Sequence, residues 1–150
     1  MRARDLAVKV PPVRVGDPVT RAVRVMVDEG LPGLVVVDQD DLPRFVLPGS
    51  QVLKLMVSQY SGDSALARTV DEAHADQFWI DLGARSVGDC VAPDQTKLVQ
   101  QVREDATLLE VAIVMSRLRA PLVAVVDDDG RLTGCITLNR LLTTVAMPHT

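Results

Sequence analysis

Aromatic residues are scarce in this sequence. They make up 3% of the 150 residues, whereas hydrophobic residues of all kinds make up 47%. The core must therefore consist mainly of Val, Leu, Ala, Ile and Met side chains, which favours closely layered strands and helices. A surface that stacks nucleic-acid bases needs exposed aromatic side chains, so the composition disfavours that class of protein.

An excess of basic residues is also missing. The net charge is −4, and Lys and Arg are scattered along the chain. The sequence therefore lacks the electrostatic footprint of a protein that binds phosphate backbones, and no nucleic-acid partner is expected. No apolar run approaches the roughly 20 residues that cross a bilayer. The first residues, Met1 to Asp5, lack the apolar run of a signal peptide. We therefore expect a cytoplasmic protein that does not insert into a membrane.

Cysteine and histidine occur only twice each. Cys90 and Cys135 lie far apart in apolar surroundings, which favours two small buried residues in a reducing compartment; a disulfide is the alternative. His74 and His149 have no Cys or His neighbour at ligand spacing, so no metal site is expected. No nucleophile with an adjacent base and no glycine-rich phosphate motif is found, which argues against an enzyme.

The sequence contains an internal repeat. Residues 13–53 align without gaps with residues 102–142, a shift of 89 residues. Each copy has the pattern strand, helix, strand, strand, helix. A unit of about 40 residues that cannot bury both its faces alone will pair with its copy. We therefore predict an α/β (α+β) fold in which two three-stranded sheets share a core about a pseudo-twofold axis. The identical pairs are Val13/Val102, Arg14/Arg103, Val25/Val114, Met26/Met115, Pro32/Pro121, Val36/Val125, Val37/Val126, Asp38/Asp127, Asp40/Asp129 and Leu53/Leu142.

The first copy carries clear local signals. Asp17 as N-cap and Pro18 as first helical residue predict the start of a helix, and Gly30 suits the left-handed residue that ends it. The run from Leu34 to Val37 is apolar without alternation, which predicts a strand buried on both faces. Pro43 suits the first residue of the returning strand. The predicted apolar face of the helix consists of Val19, Ala22, Val23, Met26 and Val27.

Three segments are predicted along the chain. Residues 1–56 form the first repeat together with a lead-in (residues 1–12), residues 57–86 form a helical connector, and residues 87–150 form the second repeat. Residues 65–82 of the connector are expected to be helical, and this helix either packs on the domain or docks a partner through the adjacent Phe78 and Trp79. The lead-in motif Arg4-Asp5-Leu6 matches Gly88-Asp89-Cys90 in setting, because each precedes a repeat.

The second copy resembles a CBS domain. Residues 105–111 are similar to the family's entry into the first helix, residues 120–127 to its buried strand, and residues 129–134 to its hairpin turn. Both repeats together, about two-thirds of the chain, are similar to a tandem CBS-domain pair (a Bateman module), and the overall organisation is similar to that of small stand-alone actinobacterial CBS-domain proteins. The resemblance implies two clefts between the repeats, which bind adenosine nucleotides in many members, and homodimers with the shape of a flat disc.

The resemblance also implies ligand-binding positions. The family pattern is Gly, two apolar residues, Ser or Thr, two more residues, then Asp. Its hydroxyl meets a phosphate at a helix N-terminus, and its Asp accepts hydrogen bonds from the ribose. Gly134 and Thr137 match the first part of the pattern. Arg140 stands at the Asp position; it has no acceptor for a ribose but can hold a phosphate.

The first copy departs from this pattern. Phe45, Pro48 and Gln51 occupy the three positions, and Pro48 has neither a hydroxyl nor a backbone N–H. Adenylate binding at this motif is therefore not expected. The candidate ligand-binding residues are Thr137, Arg140, Gly134, Pro121, Ser50 and Gln51.

A regulatory function follows from the resemblance. We expect a non-enzymatic, homodimeric module that senses AMP, ADP, ATP or a related adenosyl ligand, requires no cofactor and signals to an unidentified protein partner. One alternative is a ligand-independent dimerisation or interaction module with degenerate nucleotide sites. Another is a regulatory subunit of a separate transporter or enzyme.

Overall fold

The computed structural model describes residues 1–56, 80, 83–90, 101–118 and 121–147 of the 150-residue chain. The predicted connector helix over residues 65–82, with Phe78 and Trp79, lies almost entirely outside the described residues. Within the described ranges, no helix is both long enough and apolar enough to span a bilayer.

Both copies contain the elements that the repeat predicts. The first consists of β1 (Val13–Arg14), α2 (Val19–Glu29), β2 (Gly33–Val37), β3 (Pro43–Pro48) and α3 (Gly49–Met56). The second consists of β4 (Gln101–Arg103), α4 (Leu108–Leu118), β5 (Leu122–Val126), β6 (Leu132–Thr137) and α5 (Leu138–Ala146). A short helix, α1 (Ala3–Leu6), precedes the first copy, and a 3-10 turn (Gly88–Cys90) precedes the second. The predicted α/β fold is confirmed.

Each copy forms its own three-stranded sheet. The strand orders are β1-β2-β3 and β4-β5-β6. In both sheets the first strand pairs with the central strand in parallel, and the third pairs with it in antiparallel orientation. Pro43 is the first residue of β3, at the edge of its sheet, as predicted, so its missing N–H leaves no gap in the interior of the sheet.

The two sheets share a core. Every residue of the central strands β2 and β5 is buried, as their β-branched runs without alternation predict. One face of each central strand contacts the helices of its own copy. The other faces meet between the copies, in a cluster formed by Val35, Val37, Leu122, Ala124 and Cys135. Because burial of each Val or Leu side chain contributes about 1.5–3 kcal/mol, this cluster stabilises both copies together.

The segment that precedes each copy, here called its lead-in (residues 1–12 for the first copy and residues 83–90 for the second), docks on the other copy. Ala3 and Leu6 of α1 are buried in the core of the second copy, and Val87 is buried in the core of the first. The backbone N–H of Ala3 donates to Ala106 O at 2.8 Å, and that of Val87 donates to Asp17 O at 2.8 Å. These bonds are related by the pseudo-twofold axis, so the similarity predicted between the two lead-in motifs is confirmed and the exchange of lead-ins explains it.

The start of α2 differs from the prediction. The helix begins at Val19, with Pro18 rather than Asp17 at the N-cap. The Asp17 carboxylate instead accepts from the backbone N–H of Arg14 at 2.9 Å and from Arg21 Nε at 3.2 Å. The lead-in of the second copy supplies an acceptor for the free backbone N–H at the helix start: the Val19 N–H donates to Arg85 O at 3.0 Å.

The predicted apolar face of α2 is partly wrong. The structure buries Val19, Ala22 and Val25, whereas Val27 is 73% exposed. The helix therefore turns the middle of its apolar stripe towards the sheet and leaves one edge of the stripe outside. Gly30 ends the helix in the left-handed conformation, at φ 63°, as predicted.

Candidate functional site

A cavity lies between the two copies. Its volume is about 370 Å³, and three parts of the chain line it. The lead-in supplies Lys9, Val10 and Pro12; the first copy supplies Arg14, Val37 and Asp41; and the second copy supplies Leu132, Thr133 and Gly134. A molecule in this cavity would contact both copies and the segment that connects to α1.

A hairpin turn places one acid at the cavity. In the β2–β3 turn, Asp38 Oδ1 accepts from the backbone N–H groups of Asp40 at 2.8 Å and of Leu42 at 3.1 Å. This turn holds Asp41 in the left-handed region at φ 64°. The second copy builds the same turn around Asp127, with Gly130 at φ 82° in the equivalent place. Asp41 is thus the strained counterpart of a glycine.

An arginine of β1 faces the same turn. Arg14 Nη1 donates to Asp38 O at 2.7 Å, and Arg14 Nη2 donates to Asp41 Oδ1 at 2.7 Å. The identity of Arg14 and Arg103 at the end of matching strands was a sequence signal for this contact, since Arg103 also contacts the turn of its own copy through Asp128. Arg14, Asp41 and Lys9 are site residues that the sequence patterns did not predict.

Gly134 lines the cavity and also allows the backbone of Val8, in the lead-in, to approach β6. The Val8 N–H donates to Cys135 O at 2.8 Å, and the Cys135 N–H donates to Val8 O at 3.0 Å. A Cβ atom on Gly134 would lie 2.9 Å from Val8 O and 3.2 Å from Ala7 Cβ. Only glycine leaves room for the backbone contact that forms one wall of the cavity.

Thr137 and Arg140 lie at the start of α5. Thr137 is the N-cap, and its Oγ1 accepts from the Arg140 backbone N–H at 3.1 Å. The hydroxyl proton is still available for a ligand acceptor. Arg140 Nε donates to Leu6 O, at the end of α1, at 3.3 Å. The guanidinium therefore connects the helix start to the docked lead-in, a structural role that the sequence did not indicate.

The first copy has no equivalent of this arrangement. Phe45, at the Gly134 position, is buried in the core of its own copy. Pro48 ends β3, and α3 begins at Gly49 without a hydroxyl cap. Ser50 is exposed and Gln51 is half-buried, and neither lines the cavity between the copies.

Pro121 lies at a different cavity. This apolar pocket of about 510 Å³ is formed by α4, α5 and the residue before β5. The Pro121 carbonyl accepts from the Leu138 N–H at 2.7 Å and so helps to orient α5. The structure therefore brings Gly134 to the cavity between the copies and Pro121 to the helical face. The pocket is lined by Ala112, Met115, Ser116, Pro121, Leu138, Leu141 and Leu142.

The electrostatics of the described residues offer no activated nucleophile. Cys135 is a buried free thiol, as predicted, and burial raises its pKa to about 11. The thiol is therefore protonated and unreactive at neutral pH. The Cys90 side chain lies outside the described residues. Among the described residues, no group of His, Cys, Asp and Glu has the arrangement of a metal site.

Comparison with known proteins identifies the family. A family model for the CBS domain matches residues 95–146. A solved structure, a CBS domain-containing protein of unknown function from Kribbella flavida, is 40% identical to this chain with a TM-score of 0.81. The match covers 98% of this chain and 99% of that one. This chain belongs to the CBS-domain family. Among curated proteins, none matches it.

More distant CBS proteins share the fold. CBSX2, a CBS-pair protein from Arabidopsis thaliana, was solved in complex with AMP; it is 19% identical, with a TM-score of 0.65 and coverage of 96% of this chain and 95% of that one. The CBS domain of a CBS domain-containing membrane protein from Sphaerobacter thermophilus is 22% identical, with a TM-score of 0.71 and coverage of 95% and 86%. The expected tandem CBS pair is confirmed.

Proposed function

We propose that this CBS-pair protein is a non-enzymatic regulatory module of the cytoplasm that senses an adenosine-type nucleotide between its repeats. The observation that carries the proposal is the cavity that both repeats and a lead-in line together, with Lys9 and Arg14 in its wall. A ligand there touches parts of the chain that move relative to one another if the repeats shift. It would favour one arrangement of the repeats by its differential affinity, and a protein partner would read that arrangement.

Thr137 and Arg140 do not line this cavity; they are the proposed contacts for a further phosphate group of ADP or ATP, beyond the one that AMP also carries. The first backbone N–H groups of α5 and its dipole favour an anion at this end of the helix. The Thr137 hydroxyl would donate to a phosphate oxygen while its own oxygen continues to cap the helix. Arg140 would add a charge-assisted hydrogen bond through the Nη atoms, because its Nε is already bound to Leu6 O. No acid at the start of α5 is available to hold a ribose.

A ligand screen tests the proposal. We expect one of AMP, ADP, ATP or S-adenosylmethionine to raise the Tm, since a ligand at 100 times its Kd adds about 2.7 kcal/mol to the stability of the folded state. Thr137→Asn and Thr137→Asp both preserve a side-chain cap acceptor, but only the aspartate places a negative charge at the proposed phosphate position. The Kd for ADP or ATP should therefore rise about tenfold or more for Thr137→Asp relative to Thr137→Asn, and it should also rise for Arg140→Ala.

Two results would contradict these assignments. If none of the four ligands at millimolar concentration moves the Tm, the nucleotide-sensing function is wrong. If ADP or ATP binds wild type, Thr137→Asp and Arg140→Ala equally well, the function is retained and the phosphate site at Thr137 and Arg140 is wrong.

A second candidate function rests on the outer face of α4 and α5. Six large apolar side chains of the second copy are 42–70% exposed, and two of them, Leu138 and Leu142, line the pocket at Pro121; exposed apolar surfaces of this kind mark protein interfaces. They are Leu109, Ile113, Leu138, Leu142, Val145 and Met147. A second copy of the chain would cover this face in a symmetric homodimer, in which the apolar faces meet across the twofold axis. Dimerisation without a ligand is then a function of its own.

A matched pair of variants tests the dimer. Leu142 and Leu53 are equivalent in the repeat and 56% and 59% exposed. We expect Leu142→Lys to convert the dimer to monomer in sedimentation velocity, because a charge on each partner would be buried against apolar residues. Leu53→Lys, which makes the same change on the first copy, should leave the dimer intact. A monomeric wild type, or equal effects of the two variants, would contradict the proposed interface.

A further inference from the structure

The cavity between the repeats contains an ion pair. Arg14 Nη2 lies 2.7 Å from Asp41 Oδ1, and the two side chains are 40% and 48% exposed. Both residues line the cavity, so the exposed parts of this pair face the space that a ligand would fill. The Asp41 carboxylate therefore occupies the place on Arg14 that a phosphate or carboxylate of a ligand would take.

The backbone of Asp41 joins the two repeats at the same point. Its carbonyl accepts from the Leu132 N–H, at the start of β6, at 2.9 Å. The pseudo-twofold counterpart of this bond would need an N–H on Pro43, which proline lacks. The β2–β3 hairpin of the first copy thus bonds to β6 of the second copy, whereas the β5–β6 hairpin lacks the equivalent bond to β3. The bond lies at the cavity, which Asp41 and Leu132 both line.

The conformation of Asp41 shows that a side chain at this position has a cost. Asp41 has φ 64°, whereas the second copy has Gly130 at φ 82° in the equivalent position. Glycine would adopt this conformation without strain, and asparagine would tolerate it at least as well as aspartate. The strain is retained in the turn whose residue lines the cavity, where the carboxylate reaches Arg14.

We infer that Asp41 is a specificity-determining residue of the cavity, which acts as an internal competitor for Arg14 and is replaced there by an anionic group of the ligand. This inference rests on the proposed nucleotide-sensing function and names the chemistry that the cavity selects, a phosphate or carboxylate. A neutral ligand leaves the Arg14–Asp41 pair in place. An anionic ligand separates the pair and so acts on the residue whose backbone connects the two repeats.

Titration calorimetry with AMP and adenosine tests the inference. We expect Asp41→Asn to bind AMP about fivefold more tightly than wild type, as loss of one half-exposed competing charge predicts. Adenosine, which has no phosphate, should bind both proteins with the same Kd within about twofold. Asp40→Asn is the matched control, because it removes the same charge from the same turn without lining the cavity. It should leave the Kd for AMP unchanged.

A second test uses inorganic phosphate and does not depend on nucleotide binding. Phosphate should raise the Tm of Asp41→Asn more than that of wild type, and the added Arg14→Gln should remove this gain. Asp41→Gly, which reproduces Gly130, should behave like Asp41→Asn and shows that the gain does not come from the asparagine.

The outcomes separate the two proposals. If wild type binds AMP and neither Asp41 variant binds it more tightly, the competitor role is wrong and the sensing function is retained. If no variant binds any nucleotide but phosphate stabilises Asp41→Asn through Arg14, the sensing function is wrong and the competitor role is retained. If the gain in affinity is equal for adenosine and AMP, Asp41 does not select an anion and the inference is overturned.

Discussion

Leu122→Ala is expected to lower the free energy of unfolding of the whole protein by about 2–5 kcal/mol, the range for removing a buried leucine side chain. Leu122 is 0% exposed and belongs to the cluster in which the two sheets meet. Its side chain faces Gly33 of the opposite repeat, where a Cβ atom would lie 3.4 Å from it. The cavity left by alanine would therefore weaken the contact between the repeats as well as the second repeat itself.

Urea denaturation measures this effect, and Leu53→Ala is its control. Leu53 is 59% exposed, so its truncation should change the free energy of unfolding by no more than about 0.5 kcal/mol. Wild type and both variants should unfold in a single transition, because the shared cluster couples the repeats. Two transitions, only one of which moves in Leu122→Ala, would contradict a common core.

Gly134→Ala is expected to cost about 1–3 kcal/mol through overpacking against a backbone that cannot easily move. The added Cβ would lie 2.9 Å from Val8 O, in a segment held by two hydrogen bonds to Cys135. The lead-in would have to shift away from β6 and open one wall of the cavity. The backbone amides of Val8 and Cys135 should then exchange hydrogen faster than in wild type, while the amides of β2 should be less affected.

Gly16→Ala is the matched control for this substitution. No heavy atom lies within 4 Å of the Cβ that alanine would add at Gly16. The Gly16→Ala variant should match wild type in its free energy of unfolding and in its amide hydrogen-exchange rates. If Gly134→Ala is as stable as Gly16→Ala, or if Val8 keeps its protection, the close approach of the lead-in to Gly134 does not determine stability.

The repeat made much of the fold predictable. Valine runs without alternation predicted β2 and β5 as buried strands, and Pro43 was correctly placed at the start of an edge strand. The helix face was predicted less well, because an apolar stripe is broader than the part of it that contacts a sheet. Val27 lies at the exposed edge of that stripe, and exposed apolar side chains are common in folded proteins.

The candidate site was predictable only where it followed a local pattern. Gly134 and Thr137 were named from the spacing of a family motif, and the structure adds the reason for the glycine, which is the approach of Val8. Arg14 and Asp41 were not named, because residues 27 positions apart in the sequence become neighbours only when β1 pairs with β2. Arg140 was predicted as a hydrogen-bond donor to a phosphate. Its hydrogen bond to Leu6 O was not predictable, because it joins residues 134 positions apart.

The sequence by itself determined the duplication, the order of the elements and the burial of the central strands. These features follow from residue type and spacing within about 40 residues, over which hydrophobic pattern and turn chemistry act. Only the tertiary structure decided which repeat each lead-in docks on, where a cavity is left, and which charges face it. Such contacts depend on long-range packing of surfaces that carry no local sequence signature. The exchange of lead-ins is the clearest example, since it places Val8 against Gly134 and gives the cavity its wall.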